Sequence, residues 1–141
     1  MSRPRNALVI PASIILIASS GAHSLLGWPS LRAKLVAANT PPELVQGLAM
    51  GWHFAGLSML VFGILTLWML RVSGRTPIRL PLLVTGAAYV LFGLGCAVSI
   101  GWDPFLLTFL VPGVLLGTGA LLSTAGGEVV APTPSSMGSS A

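Results

Sequence analysis

Residues 44–70 read LVQGLAMGWHFAGLSMLVFGILTLWML, a run without one Asp, Glu, Lys or Arg. About 20 such residues in an α-helix cross a hydrocarbon layer about 30 Å thick, and this run exceeds that length. Three further stretches are uncharged in the same way: Ala7–Trp28, Leu80–Trp102 and Pro104–Gly127. The composition extends the point. Of 141 residues, 54% are hydrophobic and 7% charged, with a mean hydropathy of +0.90, whereas a soluble domain is about 25% charged. The expectation is an all-α polytopic membrane protein, a four-transmembrane-helix bundle in one domain over residues 1–127. The Ser-, Pro- and Gly-rich residues 128–141 are expected to be a disordered tail. A soluble enzyme, a disulfide scaffold and a disordered chain are excluded.

The net charge of +4 lies beside the spans, where topology determinants sit, so the bilayer and not a nucleic acid is the expected partner. Cys96 is the sole cysteine, which leaves no intramolecular disulfide and no C-x-x-C pair. Arg3 and Arg5 precede the first span, and Arg71, Arg75 and Arg79 crowd the link between the second and third. Placing both groups inside gives an N-in/C-in multi-pass protein, expected in a bacterial inner membrane. Arg3, Arg5, the apolar run and Ser20-Gly21-Ala22 also imitate a signal peptide, but the run continues through Trp28, long enough to span.

The first external loop predicts a short interfacial helix from Ser30 to Asn39, with Leu31, Leu35 and Val36 on one face against Arg32 and Lys34. Thr40-Pro41-Pro42-Glu43 then reads as a capping box that starts the second helix near residue 41. From there to Leu70 an α-helix extends roughly 45 Å, so it must tilt or protrude.

His23 and His53 are the most informative polar residues, because ionisable side chains within spans usually face the bundle interior or a wet cavity. His23 shares a helix face with Ala12, Leu16, Ser19, Ser20 and Gly27. Counted from Trp28 and from Gln46, the two imidazoles fall at similar depth. Three readings stand side by side. Each histidine hydrogen-bonds a serine, a backbone carbonyl or the other ring. Or both ligate one metal, such as the iron of a haem b. Or they form a polar site for a quinone, a lipid headgroup or a proton, with Asp103 at its rim. Asp103 has the simpler role of capping the helix behind Pro104. Trp28, Trp52 and Trp102 mark an outer aromatic belt, and Trp52, beside His53, is also a pocket candidate.

Small residues mark packing faces. The second span carries Gly47-x3-Gly51 on one face and Ala49, Gly56 and Gly63 on the other, which predicts protein contact on both sides. The fourth span carries Gly113-x3-Gly117.

The four-span layout, the Gly-Ala-His-Ser-Leu-Leu-Gly-Trp segment at Gly21–Trp28 and the amphipathic link Ser30–Asn39 resemble the DoxX-like small bacterial membrane proteins. The resemblance implies a compact bundle in a respiratory or redox-stress setting and carries over no functional residue. The leading expectation is a non-enzymatic accessory or interaction subunit without a cofactor, joined to a membrane partner or to a second copy. The alternative is a redox or ligand-binding protein that uses His23 and His53 for haem b, a metal or a quinone. A small-molecule transporter comes third, weakened because no carboxylate lies deep in a span.

Overall fold

The computed structural model describes residues 3–72 and 78–123. Five α-helices occur among them: α1 (Arg3–Ala22), α2 (Trp28–Ala37), α3 (Pro42–Val72), α4 (Arg79–Ile100) and α5 (Leu107–Leu122). A π turn over His23–Gly27 joins α1 to α2, and a 3-10 turn over Pro104–Leu106 leads into α5. Counting α1 to α2 as one rod, four helices are long and apolar enough to cross a membrane: Pro4–Ala37, Pro42–Val72, Arg79–Ile100 and Pro104–Leu122. The expected tail at 128–141 lies outside the described residues.

The short helix expected at Ser30–Asn39 corresponds to α2, Trp28–Ala37, which runs on from α1 through the π turn. Pro29 follows the π turn inside a continuous rod of 34 residues, because a local π turn accommodates a proline that an unbroken α-helix cannot. Asn39 then ends the rod with φ 54°, a left-handed conformation that Asn tolerates. The Pro41 carbonyl accepts the Leu44 and Val45 N–H groups as α3 begins. At the other loop, Gly101 stops α4 with φ 87°, and the Asp103 carboxylate accepts the Phe105 N–H at 2.7 Å.

Helix α1 packs against both α3 and α5, and α5 packs against α4, so the spatial order is α3–α1–α5–α4. Val9, Ala12 and Leu16 of α1 meet Leu116 and Ala120 of α5 and Met59 of α3 in the core. Helices α3 and α4 meet through side chains, with Phe62 set edge-on to Tyr89 at 6.2 Å. From Tyr89 a chain of ring contacts continues to Phe109, which also touches Phe92 and Phe105. Helix α2 packs on the π turn and on α3. Outside, large apolar side chains such as Ile14, Phe54, Phe92 and Val98 are exposed around the bundle.

Glycines set the closest approaches. A Cβ on Gly86 would lie 2.7 Å from the Gly113 carbonyl oxygen and 2.8 Å from Gly117 N. One on Gly63 would lie 2.6 Å from Ile17 Cγ1 and 3.0 Å from the Ser13 carbonyl oxygen. Beside Gly63, the buried Ser13 and Thr66 hydroxyls are 2.6 Å apart, so one donates to the other while the second donates to a carbonyl of its own helix, Val9 for Ser13 or Phe62 or Gly63 for Thr66. Of the two small faces of α3, the Gly56–Gly63 face is therefore filled by α1. At Gly47 and Gly51 nothing lies within 4 Å.

Gly86→Ala forces backbone apart and is expected to destabilise the bundle by about 1–3 kcal/mol. Gly95→Ala and Gly117→Ala, where nothing lies within 4 Å of the new Cβ, are expected to be neutral. Denaturant unfolding of the three variants in detergent, followed by circular dichroism, checks the contrast.

Candidate functional site

The proline that shapes the rod also shapes the site. In a regular α-helix the Pro29 ring would press on the Leu25 carbonyl. Across the π turn the Trp28 N–H donates instead to the His23 carbonyl, five residues back. A second donor reaches that same oxygen, the indole Nε1–H of Trp52 on α3, at 2.7 Å. His23 answers with its own ring: Nε2 lies 3.1 Å from the Trp52 carbonyl oxygen. A carbonyl only accepts, so Nε2 carries the proton and donates. The two rings stack, with centroids 4.2 Å apart and planes 5° from parallel. Two crossed hydrogen bonds and one stack thus clamp the π turn to α3.

Glycines on both helices make room for the clamp. A Cβ on Gly27 would lie 3.0 Å from Trp52 Cζ2, and one on Gly56 would collide with the Ser24 hydroxyl. His53 and Trp28 pair more loosely, edge to face at 5.7 Å. The two indoles are 6.4 Å apart, so four rings from two helices form one cluster. Each histidine packs on the tryptophan of the other helix. Among the described residues the two imidazoles make no hydrogen bond or ring contact with each other. His53 is exposed, whereas His23 is 8% exposed.

With Nε2 donating to the Trp52 carbonyl, the other ring nitrogen, Nδ1, is buried without a hydrogen-bond partner. A half-enclosed cavity of about 320 Å³ adjoins this ring, lined by Ser19, His23, Leu26, Met59, Phe105 and Thr108 among others. Asp103 sits two residues from that lining and holds the Phe105 backbone. Met59 also borders a second apolar cavity of about 270 Å³ in the seam between α3 and α4. A larger recess of about 520 Å³ opens at the α2–α3 loop, between Arg32 and Gln46, and includes neither histidine.

To clamp a haem, each imidazole must turn a nitrogen to the iron. His23 would first have to leave the Trp52 carbonyl or expose its buried Nδ1. Among the described residues no group of three His, Cys, Asp or Glu side chains converges to hold a metal ion. Comparison of the chain with family models, with curated proteins and with solved structures finds no match in any of the three.

Two features of the site lay outside the sequence reading. Trp28 falls roughly 140° from His23 on an ideal helix at 3.6 residues per turn, and the π turn is what brings it into the cluster. Pro29 was the available signal. The crossed bonding of His23 and Trp52 left no signal of its own, since each residue fits an interfacial belt equally well.

Trp52→Phe keeps a ring over His23 and removes one interhelical hydrogen bond, for an expected loss of about 0.6–1.7 kcal/mol. Trp52→Ala removes the stack as well and is expected to cost about 3–5 kcal/mol. His53→Ala is expected to cost less than either. Thermal unfolding in detergent ranks the three.

Proposed function

We propose that the chain is a multi-pass membrane protein that binds a small apolar ligand with a polar head at His23. The observation that carries this reading is a cavity of about 320 Å³ between the helices whose mostly apolar lining includes the polar residues His23, Ser19 and Thr108. Pockets between helices of a bundle, apolar with a few polar groups, are common ligand sites.

Membrane placement is supported by the four long apolar helices and by the exposed Ile14, Phe54, Phe92 and Val98. With Arg3, Arg5, Arg71, Arg75 and Arg79 inside, the orientation is N-in/C-in, and a bacterial inner membrane is the setting that the DoxX-like resemblance favours. The clamp then lies toward the outer leaflet. The α2–α3 hairpin, with Arg32 and Lys34, rises through the outer interface.

Two experiments test these points. In a Cys96→Ser background, an impermeant thiol reagent is expected to label Lys34→Cys but not Arg75→Cys in intact cells; the reverse pattern inverts the orientation. Native mass spectrometry of the chain released from nanodiscs is expected to find a small-molecule adduct that Thr108→Phe, which fills the cavity, removes. The same adducts on both chains would sink the ligand reading.

A second reading, an interaction subunit without a ligand, has one observation in its favour. The Gly47–Gly51 face of α3 has no neighbour within 4 Å of either glycine, and small residues let a partner helix approach closely. A second copy of this chain is the occupant to test first. A strictly monomeric mass in mild detergent counts against it.

A further inference from the structure

We infer that the recess between the start of α1 and the end of α3 seats one glycerophospholipid with a net negative head group. Its phosphate lies at Arg71 and Asn6, and an acyl chain runs against Ile10, Ile64 and Leu67. The inference shares the membrane placement proposed above and is independent of the His23 cavity, which lies toward the other end of α1.

The recess has a volume of about 510 Å³ and is lined by Asn6, Ile10, Ile64, Leu67, Trp68 and Arg71 among others. Helical spacing orders its wall. On α3, Ile64, Leu67 and Arg71 follow at intervals of three and four residues, and on α1, Asn6 and Ile10 are four apart, so each set shares one face. Four residues rise about 6 Å. Both helices therefore set a polar side chain at the end of the bundle and an apolar one a turn deeper. Ile10 and Ile64 are exposed, so the apolar part opens on the flank of the bundle, where acyl chains run. Trp68, also exposed, stands one turn inside Arg71, at the depth where indoles collect in a membrane interface.

Charge decides the head group. Arg5, Arg71 and Arg79 stand at this end, where α1 starts, α3 stops and α4 starts. The chain has three carboxylate side chains. Glu43 is in the first turn of α3 and Arg71 in its last, roughly 40 Å apart. Asp103 caps the turn into α5, beyond the far end of α4, and Glu128 lies outside the described residues. Among the described residues Arg71 has no ion-pair or hydrogen-bond partner for its guanidinium. Arg5 Nε donates to the Asn6 side-chain oxygen at 3.2 Å, which leaves Asn6 its amide N–H groups to offer, and a guanidinium has donors alone. Arg71 is exposed and Asn6 half-buried, so both are open to a ligand. A cationic, donor-rich mouth matches the oxygens of a phosphate diester. A choline head adds a cation that the arginines repel, and a phosphatidylglycerol head does not. In the N-in/C-in orientation proposed above, this end meets the cytoplasmic leaflet, where anionic lipids give a negative surface. A free phosphate would match the mouth and leave the apolar turn unused.

Native mass spectrometry tests the inference on the full, delipidated chain in detergent, given equal amounts of phosphatidylglycerol and phosphatidylcholine with the same acyl chains. The phosphatidylglycerol adduct is expected to exceed the phosphatidylcholine adduct about fivefold, the weight of roughly one basic residue at an anionic surface. Arg71→Gln is expected to bring the two to parity, and Arg79→Gln, outside the recess, to leave the preference in place. Ile64→Trp, at an exposed position that fills the apolar turn, is expected to remove the adduct with every charge retained. Glycerol 3-phosphate at the same concentration as the lipid is expected to leave the adduct intact. Equal adducts of both lipids on the unaltered chain overturn the inference. A loss shared equally by Arg71→Gln and Arg79→Gln also overturns it, since diffuse attraction to a basic end then suffices. So does an adduct that survives Ile64→Trp or yields to glycerol 3-phosphate, which would mark a site for a free anion. Thr108→Phe, which fills the His23 cavity, is expected to leave the phosphatidylglycerol adduct unchanged, so the two proposals stand or fall separately.

Discussion

A backbone carbonyl shielded from water must find its donor within the protein, and the proline at position 29 disturbs that supply at the end of the first helix. The chain widens by one residue into a π turn, and the His23 carbonyl then serves two donors, the Trp28 N–H and the Trp52 indole. Much of that end of the bundle follows from that oxygen. It fixes the depth of α3 against α1 and holds the Trp52 indole over the imidazole. Through the Trp52 carbonyl it fixes the proton on Nε2 and leaves Nδ1 buried without a partner. One missing N–H is thus linked, through a short series of bonds, to the placement of a ring that borders a cavity.

Away from the clamp, the bundle depends on how closely backbones approach. Helix α1 lies on α3 over Gly56 and Gly63, and α4 lies on α5 over Gly86 and Gly113. Where glycine permits contact, dispersion and a buried hydroxyl pair, Ser13 with Thr66, supply the attraction. Where bulky residues face each other, as Phe62 and Tyr89 do between α3 and α4, rings span the distance and cavities remain.

The helices were legible from length and the lack of charge, and Pro41-Pro42-Glu43 marks where α3 begins. The role of Gly56 and Gly63 was legible too, since heptad spacing of small residues implies a neighbour. Other features were not. Helical periodicity assumes 3.6 residues per turn, and the π turn breaks that count between His23 and Trp28, so Trp28 reads as facing elsewhere. Ser13 and Thr66 lie 53 positions apart, and a lone hydroxyl in an apolar helix looks alike whether it bonds its own backbone or a partner. The tautomer of His23 depends on a carbonyl of another helix, which no local pattern encodes.

The spatial order α3–α1–α5–α4 has a consequence for assembly. The chain is two helical hairpins in sequence, α1–α2 with α3 and α4 with α5, and each closes on contacts between successive segments. They join mainly along α1 and α5, where Gly119 lies under Val9. Contacts between successive segments form early because little chain must be ordered to make them. Each hairpin can therefore settle as a unit before the two dock. Between α3 and α4 the contact is through rings such as Phe62 and Tyr89, so docking draws on the Val9–Gly119 seam. The fold is in this sense a dimer of hairpins written on a single chain.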